Sequence, residues 1–108
     1  MIDPPTPYQR FIDAFPEVGA AYEALGKAAT ESGPLDHKTI HLIKLGLAAG
    51  MQHEGAVHAH ARKALAAGLT PDEVRHAAVL AVTTLGFPRM MATLTWVEDM
   101  IDAHEEVE

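Results

Sequence analysis

The chain has 108 residues and a mass of 11.6 kDa, too short for a second independent core. With 48% hydrophobic and 21% charged residues it has the composition of a packed domain, and a net charge of −7 makes nucleic acid and anionic membrane poor partners. It holds no cysteine, which excludes disulfides, thiolate metal ligands and every mechanism that needs a sulfur nucleophile.

The start Met1-Ile2-Asp3-Pro4-Pro5 has neither the basic region nor the apolar stretch of a secretory leader, and no apolar run reaches the length of a membrane span. A cytoplasmic protein with a single domain over 1–108 is expected. Pro4, Pro5 and Pro7 predict an extended surface arm, with residues 1–15 completed by a short helix from Tyr8 to Phe15. Val18, Tyr22 and Leu25 recur at helical spacing after Pro16, until Glu31-Ser32-Gly33-Pro34 stops the pattern. Asp36 suits the cap of a third helix running to about Gly50, and a fourth spans about Gly55 to Ala67. The run Gly68-Leu69-Thr70-Pro71-Asp72-Glu73 predicts a left-handed glycine, then a capping box formed by Thr70 and Glu73 with Pro71 in the first helical turn. A fifth helix should reach about Leu85, where Gly86-Phe87-Pro88 breaks it. The last should run from Arg89 to about His104, before an acidic tail at residues 105–108. The expected fold is all-α, with about six helices.

Seven histidines are an excess for this length, and His41, His53, His58 and His60 fall within twenty residues. On the third helix His37, His41 and Lys44 share the one stripe that apolar residues do not fill. On the fourth, Val57, Ala61, Ala64 and Leu65 form an apolar arc with His60 at its edge. His58 falls toward the other side with Arg62 one turn on, and Glu54 precedes the helix. Imidazoles at such an edge suit acid–base chemistry, because they titrate near neutrality. A metal site built on His41, His53 and His60 is the alternative, although the spacing matches no strong ligand signature.

The landmarks Leu35-Asp36-x-Lys38-Thr39, Glu54-Gly55-Ala56-Val57-His58-Ala59-His60-Ala61-Arg62-Lys63-Ala64-Leu65-x-x-Gly68, Thr70-Pro71-Asp72-Glu73-Val74 and Gly86-Phe87-Pro88 occur in that order. Together they resemble the carboxymuconolactone decarboxylase and alkylhydroperoxidase D-like superfamily. The resemblance implies an alkylhydroperoxidase D-like helical fold whose central hairpin, the third and fourth helices, carries the site, and an assembly of three or six identical chains. The peroxidase branch carries a glutamate, a Cys-x-x-Cys pair and a histidine. At those positions this chain holds His41, His53 and Ala56, and His60, so only the histidine is kept and thiol-based peroxide reduction is not expected.

The cysteine-free decarboxylase branch implies cofactor-independent loss of carbon dioxide from a small lactone acid. The acidic residues of that branch just before the histidine are Ala56 and His58 here. On this resemblance His60 is the expected acid–base residue, with His41 and His53 beside it as catalytic candidates. His58, Lys44, Arg62 and Glu54 are the candidates for binding a small-molecule substrate. Neither cofactor nor metal is expected, and the competing reading is a non-catalytic oligomer on the same scaffold.

Overall fold

A computed structural model describes residues 6–107, so Pro4 and Pro5 of the expected arm lie outside the described residues. The chain divides into two compact units at the Pro34–Leu35 junction, directly after the Glu31–Pro34 stop. All regular structure among the described residues is helical.

The first unit holds α1, Pro7–Ala14, and α2, Pro16–Thr30. Thr6 caps α1 by accepting from the Gln9 amide at 3.1 Å, and Pro7 and Pro16 each open a helix where a missing N–H costs nothing. The two helices touch closely at Gly19, where a Cβ would sit 3.2 Å from Ile12 Cγ1. The Tyr8 hydroxyl donates to Glu23 at 3.1 Å, and its ring meets Tyr22 edge to face. Val18, Tyr22 and Leu25, the expected apolar stripe of α2, are all exposed.

The second unit holds α3, His37–Met51; α4, Glu54–Ala66; α5, Pro71–Val79; α6, Val82–Leu85; and α7, Phe87–Val107. α3 and α4 form the expected hairpin, α4 lies between α3 and α7, and α5 packs on α7 and α3. The α4 arc of Val57, Ala61, Ala64 and Leu65 is buried, together with Leu45 and Ala48 of α3, Val74 and Ala78 of α5, and Val97 and Ile101 of α7. Small residues on α4 let its neighbours come near, so a core with few aromatics still closes.

The caps follow local chemistry. Asp36 accepts from the Thr39 amide at 2.8 Å, Thr70 and Glu73 close the capping box, and Gly68 takes a φ of +100°. The end of α3 differs from expectation: the helix passes Gly50 and stops at Gln52, which adopts a left-handed φ of 51°. Gln52 is held there because its amide group donates to Ala49 O at 2.9 Å and to the buried Thr93 Oγ1 at 3.0 Å, tying the hairpin corner to α7. The Arg75 guanidinium forks onto both carboxylate oxygens of Glu98, tying α5 to α7.

Three further boundaries shift. The single fifth helix is two pieces, because the chain tightens at Leu80–Ala81, where the Ala81 amide bonds Ala78 O, and Val79, Val82, Thr83 and Thr84 are poor helix formers. α7 starts at Phe87, since Pro88 fits a first turn, and it carries the acidic residues 105 and 106 within the helix instead of as a tail. Much of the apolar side of α7 goes into the core: Met90, Val97 and Ile101 are buried and Leu94, Trp96 and Met100 pack against it, while Phe87 and Met91 stay exposed. Apolar surface is also open on α3, where Ile43, Leu47 and Met51 are 47%, 65% and 68% exposed.

Candidate functional site

His41 and Lys44 rise from the stripe of α3 that also carries His37, and the His37 and His41 rings lie 6.4 Å apart. His60 stands on the flank of α4 next to its buried arc. Both His41 and His60 are half-buried, and each holds its ring Nδ1 out of solvent with no hydrogen-bond partner. An orphaned polar atom of this kind is uncommon in a folded protein and marks a place where a ligand, water or partner group belongs.

Electrostatics joins the two rings into one site. Burial pushes the proton affinity of His41 below the ordinary imidazole value, and the charges of His37, Lys44 and Lys63 push it further down. Burial lowers His60 in the same way, followed by Lys63, Lys44 and His41. Every charge that bears on the pair is therefore positive, in a chain whose net charge is −7. Two imidazoles held toward the neutral form, with Lys44 and Lys63 near enough to repel a proton on them, suit an anionic oxygen: the lysines supply charge, and a ring nitrogen can give or take a proton.

Lys63 was not singled out by the sequence reading, which favoured Arg62. At about 100° per residue Arg62 points about 160° away from His60 around α4, whereas Lys63 lies only about 60° away and one turn on. Arg62 is exposed and exerts no effect on either ring. The i+3 spacing from His60 was the signal available for Lys63.

The other candidates stand elsewhere. His53 does not face His60: it is the N-cap of α4, its Nδ1 accepting from the Ala56 amide at 3.0 Å. Positions 53 and 56, which carry the dithiol in the resembled peroxidase branch, are thus joined here by a capping hydrogen bond. His58 turns toward α7, where its Nε2 lies 3.1 Å from Asp99 Oδ2 and 4.0 Å from Glu54. That takes both His58 and Glu54 away from the His41–His60 side. Among the described residues no group of three His, Asp or Glu side chains is placed to hold a metal, so the His41, His53 and His60 ligand set is not assembled.

A groove of about 440 Å³ lies on the opposite flank of α3 between it and α5 and α6, with Leu42, Gly46, Ala49, Ala77 and Leu80 among its walls. It contains neither His41 nor His60. Orphaned polar atoms and concentrated charge locate acid–base chemistry better than apolar volume does, and the histidine pair is the candidate site. No helix among the described residues is long and apolar enough to cross a membrane.

The chain is 44% identical over 50 residues to an uncharacterized protein of Haemophilus influenzae, a stretch covering 46% of this chain and 44% of that relative. It thus spans less than half the length of the relative it matches. No solved structure matches it. Among models of known families, that described as the carboxymuconolactone decarboxylase family matches residues 16–99, a span that includes the hairpin, His41, His60 and both lysines. The chain belongs to the carboxymuconolactone decarboxylase family.

Proposed function

We propose that the chain is a cofactor-free acid–base enzyme, decarboxylating or isomerising a small carboxylic acid or lactone acid. The observation that carries this reading is the pairing of two unpartnered, half-buried imidazoles with only positive charge around them. In a decarboxylation the bond from carbon to carboxylate breaks, carbon dioxide leaves, and the electron pair stays on the substrate as an enolate. Lys44 and Lys63 stabilise that charge, and His60, with His41 beside it, delivers the proton to carbon. Thiol peroxidase chemistry has no support, since neither His53 nor Ala56 can attack a peroxide oxygen and be resolved by a second thiol.

The test is carbon dioxide release from a panel of small lactone acids and β-keto acids by the wild type and His60→Gln. Loss of turnover by about 10²–10⁴-fold, with an unchanged fold, is expected of a general acid–base residue. Equal turnover by the two proteins would refute the assignment.

A specific observation also favours self-association. Ile43, Leu47 and Met51 recur along α3 and are open to solvent, and apolar faces of that kind mark contact surfaces. An assembly of three or six chains is the proposed form, and a scaffold without catalysis is the second reading of the chain.

A further inference from the structure

The groove between α3 and the α5–α6 segment takes no part in the proposed chemistry, yet its volume of about 440 Å³ is that of a small-molecule site. Its walls are apolar along most of their length. On one side Glu73, His76, Ala77, Leu80, Ala81 and Thr84 recur three or four residues apart, so that α5 and α6 present one continuous face. The other side is α3. There Gly46 and Gly50 stand one turn apart, and a Cβ added at either would meet nothing within 4 Å, so the wall is open where two side chains are missing.

The polar groups gather at the ends. Glu73 and His76 share the start of the α5 face, one turn apart and exposed at the rim, whereas Thr84 lies on α6 at the far end. Glu73 is fixed in place. Its Oε1 accepts from the Thr70 amide at 2.8 Å, and that bond holds the carboxyl below its ordinary range and therefore ionised. Among the described residues no donor reaches its Oε2 or the His76 ring. The charge of Lys38 also bears on Glu73, but Lys38 sits against Gly68, its Nζ 3.9 Å from where a Cβ there would stand, and it is not part of the groove wall.

A fixed negative charge and a neighbouring acceptor at one end of an apolar channel match a molecule of the complementary pattern, and would repel a carboxylate. We propose that the groove binds a small apolar molecule bearing one primary amine, with its ammonium on Glu73 and His76 and its hydrocarbon between α3 and α5. An ammonium has three donors and serves both acceptors at once, where a hydroxyl has only one. This ligand is of opposite charge to the acid proposed for the His41–His60 pair, so the two sites are separable by chemistry as well as by place.

Hexylamine is the probe, with hexanol and hexanoate as its neutral and anionic counterparts. Binding to the full chain is followed by the methyl NMR signals of Leu42, Ala77 and Leu80, with light scattering in parallel. Hexylamine is expected to shift these signals to saturation and to bind about fivefold more tightly than hexanol, as an exposed ion pair allows, with hexanoate the weakest. Glu73→Gln keeps the capping box, in which glutamine serves as glutamate does, and should bring amine and alcohol to equal affinity. Gly46→Leu should fill the groove and remove the response to both, and it should fold, because leucine favours a helix more than glycine and finds open space there. His60→Gln should bind hexylamine as the wild type does.

Hexanoate binding as tightly as hexylamine, an amine preference unchanged in Glu73→Gln, or a full response in Gly46→Leu would overturn the proposal. So would groove signals that ignore hexylamine; where light scattering then finds an assembly, the occupant of the groove is a second copy of the chain. Should Gly46→Leu fail to fold, the comparison of amine with alcohol in wild type and Glu73→Gln still decides.

Discussion

A proton on His41 of α3 disfavours a second proton on His60 of α4, and both rings hide an Nδ1 that has no hydrogen-bond partner among the described residues. The stability of the hairpin is thereby linked to pH, because folding lowers the proton affinity of the two imidazoles.

The sign of that linkage follows from the direction of the shift. Both groups bind protons more weakly folded than unfolded, so their contribution is fully present above the ordinary imidazole value of about 6.5 and is lost as pH falls from there through the folded midpoints. Thermal melts between pH 7.5 and about 5 should show the wild type losing stability more steeply than a His41→Gln/His60→Gln variant. Parallel profiles for the two proteins would show that the pair does not carry the linkage.

Gln52 offers a second check, on the corner that positions α4. Its left-handed backbone favours glycine, while its side chain binds Ala49 O and Thr93 Oγ1. Gln52→Ala keeps the backbone strain and loses the bonds to a buried partner, so it should destabilise by about 1–3 kcal/mol in urea unfolding. Gln52→Gly loses the same bonds but relieves the backbone, and should cost less than Gln52→Ala.

The exposed stripe of α3 makes a prediction about assembly. Leu47→Glu places a charge at a position 65% exposed in the single chain, where it should leave the fold of the chain intact. Light scattering should find the wild type in a closed assembly of identical chains, and the variant shifted toward smaller species. A wild type that scatters as an 11.6 kDa monomer would contradict the proposal.

Much of this architecture was legible in the sequence because its signals are local. The capping box at Thr70 and Glu73, the left-handed Gly68, and the arc from Val57 to Leu65 each depend on residues within a few positions of one another. What was not legible depends on partners distant in the chain. Gln52 reads as an ordinary polar residue until Thr93, forty-one positions away, holds it in place. Helical spacing already turns His58 to the other side of α4 from His60, but its partner there, Asp99 on α7, is forty-one positions away and could not be read. His53 stands close to His60 in sequence, but α4 starts at Glu54 and makes His53 its cap, with its Nδ1 accepting from the Ala56 amide. The lysine beside His60 was within reach of helical geometry: Lys63, not Arg62, shares its face.

The central claim is that His41 and His60 belong to one site, where burial and neighbouring positive groups hold both rings toward the neutral form. The most direct measurement is the NMR pH titration of the imidazoles in the free chain. The account predicts that both rings titrate below about 6.5, and that the His60 midpoint rises when Lys63 is changed to Gln. Two rings that titrate at or above that value, indifferent to Lys63, would contradict it.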